Sequence, residues 1–181
     1  MGQLGYNLFL IGFMGSGKST LAAHLGKRFG MEIIEMDQWI SKREGMSVSE
    51  IFDKHGEEYF RNLETNLLKE AQEKKNTVVS CGGGVPKREE NVIEMKKSGK
   101  VVLLKASPET IYERVKDNHD RPLLENNKSV SYIAHLMEQR REKYEAAADI
   151  ALLTDGKTIA KIGDELIEKL MPADSQKERQ I

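Results

Sequence analysis

The chain is short of cysteine, of net charge and of long apolar runs, and each shortage removes a class of protein. A single cysteine, Cys81, among 181 residues excludes an intramolecular disulfide framework and any metal site built on several thiolates. It suits a reducing compartment, so a cytoplasmic location is expected. Lys and Arg number 28 against 29 Asp and Glu, a formal charge of −1, which leaves no global electrostatic footprint for nucleic acid or an anionic membrane. Any anionic ligand must be met by local charges. No stretch reaches the ~18 consecutive apolar residues of a membrane span. Residues 1–17 lack the basic start and small-residue cleavage site of a secretory signal, so neither export nor membrane insertion is expected. There are no internal repeats.

What is present is enough apolar material for one core. Hydrophobic residues make up 39% of the chain, beside 15 glycines, the content of an ordinary soluble domain. Strand-like runs rich in Val, Ile and Leu fall at 7–11, 32–36, 77–80, 101–105 and 150–153. Helical patterns lie between them at 18–29, 47–75 with a break near Gly56, 87–97, 107–116, 130–147 and 158–170. This alternation, with near-continuous apolar strands, predicts an α/β domain over 1–171: a parallel sheet covered by helices on both faces. Ser47 stands three residues before Glu50 as a capping box, and Ser107-Pro108 places a cap before a first-turn proline. Tyr59, Phe60, Leu63, Leu67 and Ala71 form an apolar stripe, with Arg61 and Glu64 off it and spaced to pair on the helix surface. Residues 117–129 read as a long loop around Arg121-Pro122, of the kind that serves as a lid, and 172–181 as a polar, frayed tail.

Directly after the first strand comes Gly12-Phe13-Met14-Gly15-Ser16-Gly17-Lys18-Ser19, a full match to G-x-x-x-x-G-K-[ST] that opens a helix. Glycines let backbone N–H groups approach a phosphate chain, and the helix N-terminus adds partial positive charge. Lys18 would meet the β/γ-phosphates and Ser19 would offer its hydroxyl to Mg²⁺. A guanine reader of the form Asn-Lys-x-Asp is missing: Asn127-Lys128-Ser129-Val130 lacks the acid. So short a chain, without room for motor-ATPase elements, favours a small-molecule kinase.

The second strand, read as ending Glu35-Met36-Asp37, places two carboxylates on one face at the C-terminal sheet edge, where ligands of open parallel sheets bind. One could hold Mg²⁺ through water while the other receives a hydrogen bond or a proton from an attacking hydroxyl. Arg61, the Gly82-Gly83-Gly84 turn, Arg121 and Arg140 are further candidates. Cys81 is read as a buried, inert thiol, Trp39 as packing, and the four scattered histidines as without chemistry.

Taken in order, five strings resemble the shikimate kinase family over about residues 5–170: the phosphate loop through Thr20, Gly56-Glu57-x-x-Phe60-Arg61-x-x-Glu64, Gly82-Gly83-Gly84, Arg121-Pro122-Leu123-Leu124, and Arg140-x-x-x-Tyr144. The resemblance implies a three-layer P-loop sandwich of nucleoside-monophosphate-kinase type, with strand order 2-3-1-4-5, an acceptor-binding segment at about 36–64 and a lid at about 115–129. It implies phosphorylation of shikimate by ATP to 3-phosphoshikimate, in the chorismate and aromatic amino-acid pathway. Gly15, Ser16, Gly17, Lys18, Ser19 and Thr20 would cradle the phosphates, Ser19 and Glu35 would hold Mg²⁺, and Asp37 would engage the acceptor hydroxyls. Arg61 and Arg140 would take the shikimate carboxylate, with Gly83 and Gly84 adding backbone donors. Arg121 would close over the nucleotide and, with Lys18 and Asp37, serve catalysis. A monomer is expected. The family pattern at strand two is Asp-x-Asp, whereas this chain has Glu35-Met36-Asp37, one methylene longer on the metal side. Near Thr154–Lys157 no family-like adenine string stands out. A gluconate-kinase-like enzyme would share the phosphate loop and size but should not need both arginines beside a triple glycine; a homologue without catalysis, which Glu35 motivates, is opposed by the intact Lys18, Ser19, Asp37, Arg61 and Arg121.

Overall fold

A computed structural model describes residues 4–116 and 129–170. Arg121, residues 117–128 of the expected lid, and the expected tail at 172–181 lie outside the described residues.

Five strands, β1 (Asn7–Ile11), β2 (Glu32–Glu35), β3 (Thr77–Ser80), β4 (Gly99–Lys105) and β5 (Ile150–Leu153), form one parallel sheet in the order β2-β3-β1-β4-β5. Register explains the layers. Leu8 pairs with Val78 and Leu10 with Val102, and these even-numbered residues of β1 face α1 (Lys18–Phe29) and α7 (Ile159–Leu170), packing on Leu21, Leu25, Ile162 and Leu166. Phe9 and Ile11 point the other way, into a larger apolar layer with Ile40, Phe60, Leu68, Met95, Ile111 and Ile133. That layer is built from α2 (Met36–Glu44), α3 (Val48–Ala71), α4 (Glu89–Ser98), α5 (Pro108–Val115) and α6 (Val130–Ala147). Central β1 and β3 are buried along their whole length, while edge strands β2 and β5 each expose two of four residues. Burial on both faces is why the central strands read as unbroken apolar runs.

Buried polar groups anchor the loops that carry the site. The Asn7 amide donates to the carbonyls of Ala71 at 2.8 Å and Lys74 at 2.9 Å, and its Oδ1 accepts from Thr77 N at 3.2 Å. It thereby ties the end of α3 to the start of β3. Thr65 Oγ1 donates to Asn91 Oδ1 at 2.7 Å, and Asn91 Nδ2 donates to the Val85 carbonyl at 3.0 Å, pinning the segment that follows the glycine turn. The Ser47–Glu50 capping box is present with both bonds. Ser107 Oγ accepts from Thr110 N at 3.2 Å, ahead of which Pro108 opens α5.

Four local expectations are corrected. β2 stops at Glu35, and Met36 begins a helix closed by Gly45 at φ 66°, so Asp37 lies in a first helical turn and shares no strand face with Glu35. Met36 and Ile40, one turn apart and both buried, reveal the period that an extended reading of the segment hides. The helix expected from 87 starts at Glu89, after a short 3₁₀ turn over Val85–Lys87 and an extended Arg88; the turn is held from inside by Asn91. On α3, Tyr59 leaves the stripe and is 38% exposed, its hydroxyl donating to Glu44 Oε2 at 2.9 Å. Glu64, expected on the surface, is fully buried. The helix bends at Gly56, φ 83°, a value that L side chains rarely adopt, and beyond it Glu64 stands one turn from Phe60 and from Leu67 and Leu68, all buried on one face.

Candidate active site

The C-terminal ends of β1, β2 and β3 open into one cleft of about 1530 Å³. A single small ligand needs roughly 300–1,000 Å³, so two substrates fit side by side. Nearly all the described candidates line it: Gly15 to Thr20, Glu35, Asp37, Arg61, the glycine turn and Arg140.

At its centre lies the phosphate loop. Gly12, with φ 147°, approaches Leu104 so closely that an added Cβ would stand 2.6 Å from the Leu104 carbonyl oxygen. The turn closes with Ser16 N donating to Phe13 O at 3.1 Å. Gly17 caps α1 in a left-handed conformation, with no side-chain hydrogen bond and no acid in the first turn, so the leading amides of α1 present themselves to an anion. Lys18 arches over the loop, its ammonium donating to the carbonyls of Gly12 at 2.9 Å and Phe13 at 3.2 Å.

Beside it is a small cluster of oxygen ligands. Ser19 Oγ donates to Glu35 Oε2 at 2.9 Å and lies 3.5 Å from Ser80 Oγ. Hydroxyl and carboxylate oxygens are the donor set of a hard cation, so these residues fit Mg²⁺.

The acceptor end is assembled from four separate elements. Arg61 on α3 donates through Nε and Nη2 to Glu57 Oε1 at 3.1 and 2.9 Å, and through Nη1 to Glu64 Oε2 at 2.8 Å. Burial works against the Arg61 charge, but Glu64 and Glu57 outweigh it and hold its pKa above the ordinary value. Glu64 shows the reverse balance: burial exceeds the pull of Arg61, and its pKa is raised to about 7. Gly84 must be glycine because a Cβ there would overlap the Arg61 guanidinium. Arg140 on α6 lies over the Phe13 ring, 5.3 Å from its centroid. One turn later the Tyr144 hydroxyl donates to the Gly83 carbonyl at 2.7 Å, fixing the glycine turn between α3 and α6. Asp37 reaches the turn from α2.

At the opposite end, Arg114 Nη1 donates to the Gly15 carbonyl at 3.0 Å and to Thr154 Oγ1 at 3.4 Å. Asp155 accepts from Ser107 N at 2.9 Å and from its hydroxyl at 3.0 Å. Burial opposes the Asp155 charge, yet hydrogen bonds from Thr110 and Ser107 keep its pKa below the usual range. The loop at Thr154–Lys157, which offered no distinctive string, is thereby placed on the cleft beside the phosphate loop.

Sequence reasoning passed over Glu57, Lys87, Arg114 and Tyr144 as site residues. Lys87 follows the glycine turn and lines the cleft, its pKa lowered by burial and by Arg140 and Arg61 nearby. Tyr144, one helical turn from Arg140, and Glu57, one turn before Arg61 in the same string, carried a signal; Lys87 and Arg114 depend on which element faces which. Cys81 is buried, and burial pushes its thiol pKa far up, consistent with an inert group. Trp39 packs partly buried against the core, with the Arg43 guanidinium 5.1 Å from its ring centroid. No helix among the described residues is long and apolar enough to cross a membrane.

Known proteins are similar to this chain in sequence and fold. Shikimate kinase from Persephonella marina is 41% identical over 164 residues, covering 91% of this chain and 98% of that protein. The structure of shikimate kinase from Acinetobacter baumannii in complex with shikimate superposes with a TM-score of 0.84 at 29% identity, covering 91% of this chain and 92% of that one. The Aquifex aeolicus shikimate kinase structure gives 0.77 at 39% identity, over 91% and 95% of the two chains. The family model for shikimate kinase matches residues 14–171, a span that runs from the phosphate loop through both ends of the cleft, and the chain therefore belongs to the shikimate kinase family.

Proposed function

We propose that this chain transfers the γ-phosphoryl group of ATP to the 3-hydroxyl of shikimate, with Asp37, Arg61 and Arg140 holding the acceptor. The observation that carries this reading is the joining of two arginines, a carboxylate and a glycine turn to the phosphate loop in one cleft. A cyclic carboxylate with ring hydroxyls is what such a set recognises: guanidinium groups for the carboxylate, Asp37 and backbone N–H groups of Gly83 and Gly84 for the rest.

Phosphoryl transfer depends mainly on alignment and charge compensation. Gly15 to Thr20 hold the phosphates through backbone N–H groups, and Lys18 swings from the carbonyls of Gly12 and Phe13 onto the β/γ-phosphates. Ser19, with Glu35 through water, would hold Mg²⁺, which supplies charge neutralisation on the β- and γ-oxygens. Asp37 accepts a hydrogen bond from the attacking hydroxyl and takes its proton as the new P–O bond forms. Arg114 steadies the phosphate loop from the nucleotide side. A monomer in the cytoplasm is part of this reading, and a lone buried thiol suits a reducing compartment.

ADP release in a coupled assay with Mg·ATP tests the reading, comparing shikimate, gluconate, nucleoside monophosphates and no acceptor. Turnover with shikimate far above the blank is expected. Turnover only with another acceptor would overturn the acceptor assignment and leave the phosphate-loop kinase intact.

A further inference from the structure

Glu64 is fully enclosed, and while its Oε2 accepts from Arg61, its Oε1 is buried with no hydrogen-bond partner. A carboxylate oxygen sealed from water without a donor is poorly stabilised when ionised and well accommodated when it carries a proton. The surroundings sharpen this. A Cβ at Gly82 would stand 2.5 Å from Glu64 Oε1 and 3.0 Å from Asp37 Oδ1, so two carboxylates face one another across a glycine. The cation between them and the acceptor is already shared, since Arg61 serves Glu57 as well as Glu64. The other groups facing Glu64 are Asp37 on α2, Cys81 after β3, Lys87 in the 3₁₀ turn and Arg88 at the head of α4. Arg140 and Tyr144 of α6 close the far side against Gly83.

We propose that Glu64 makes acceptor binding proton-linked: when the carboxylate of the acceptor docks on Arg61 and Arg140, Glu64 Oε1 takes up one proton from solvent. The inference rests on the reading above, in which the acceptor is anionic and Arg61 receives it. Docking would give Arg61 a third negative partner and displace water from the cleft, and both changes oppose an ionised Glu64. Protonation removes that charge while Oε2 continues to accept from Nη1, so Arg61 keeps its orientation and gains a net charge to spend on the ligand. The raised pKa of about 7 in the free protein leaves Glu64 poised for this step. Glu64 acts through Arg61 and is a positioning residue.

Calorimetric titration of shikimate into the full chain at pH 8, in buffers of different ionisation enthalpy, counts the protons. About half a proton or more per shikimate is expected for the parent, and under about a tenth for Glu64→Gln, which keeps the shape but cannot titrate. Shikimate affinity of the parent should fall about tenfold from pH 7 to pH 9, and that of Glu64→Gln by less than about twofold. Absence of uptake in the parent, or undiminished uptake in Glu64→Gln, would overturn the proposal. Should the variant not fold, infrared difference spectra of the parent read the same event, as a protonated-carboxyl band that grows on shikimate binding; its absence is equally fatal. Turnover measured on the same sample separates the two readings. No binding or turnover of shikimate removes the acceptor assignment and this inference together, whereas turnover without proton uptake removes the proton linkage alone.

Discussion

The two halves of the cleft are built on opposite principles. The phosphate end comes from one uninterrupted stretch, Gly12 to Thr20, and works with backbone groups and a helix terminus. The acceptor end draws side chains from α2, α3, the glycine turn and α6, and its charges are mutually dependent because Arg61 is shared between buried Glu64 and exposed Glu57 while Asp37 faces Glu64 across Gly82. Backbone donors have fixed polarity and do not titrate. Buried side-chain charges take their properties from their neighbours, so one substitution there changes several groups at once.

If the halves are separable, damage to one should leave the other intact. Asp37→Asn should have the largest effect, lowering kcat by about 10³-fold, within the range for loss of a general base, with ATP affinity changed less than about twofold. Parent-level turnover would show that Asp37 neither orients nor deprotonates the hydroxyl. Next, Arg61→Ala should raise the KM for shikimate by about 10²-fold, because breaking a buried pair leaves Glu64 enclosed without its cation; an equal loss of ATP affinity would break the division between the halves. Gly84→Ala tests the same division without removing any charge, since the added methyl would overlap the Arg61 guanidinium. About a tenfold rise in the KM for shikimate is expected from displacement of that group, equivalent to about 1.4 kcal/mol.

A fourth comparison concerns stability, where Glu64 should give the acceptor end a pH dependence. Its pKa is about 7 in the folded chain against an ordinary 4.5, so the folded state binds the proton more tightly. Its contribution is most favourable below pH 4.5 and is lost as pH rises through 7. Between pH 6 and 8 this amounts to about 1 kcal/mol, or a Tm lower by about 3 °C at the higher pH. Thermal unfolding of Glu64→Gln across this interval should be flatter than that of the parent. Smallest is Glu35→Asp, which shortens the reach to Ser19 and should shift the Mg²⁺ requirement of turnover only a few-fold, because a carboxylate acting through water tolerates small displacement. A loss of activity at saturating Mg²⁺ would mean that Glu35 does more than hold the ion.

Strand positions, the phosphate loop, the caps at Ser47 and Ser107, and the pairing of Arg61 with Glu64 were legible in the sequence, because each rests on spacing within a short window; the strand order came only from the resemblance to the shikimate kinase family. The helix over Met36–Glu44 was not: one buried turn, Met36 and Ile40, follows an apolar strand without a break, and period two and period 3.6 cannot be told apart over so few residues. Tyr59 fitted the stripe of α3 by spacing, but its hydroxyl found Glu44 at the surface. Arg114 carried no local mark because its partners, Gly15 and Thr154, are 99 and 40 residues away.

The sequence by itself determined the parallel sheet and the phosphate-binding half of the cleft, since a glycine loop between a strand and a helix creates its own anion site from adjacent backbone groups. Only the tertiary structure decided the charge state of the acceptor half. A glutamate four residues from Phe60 is an ordinary carboxylate until α3 packs beneath the glycine turn, where the loss of water outweighs the attraction of Arg61.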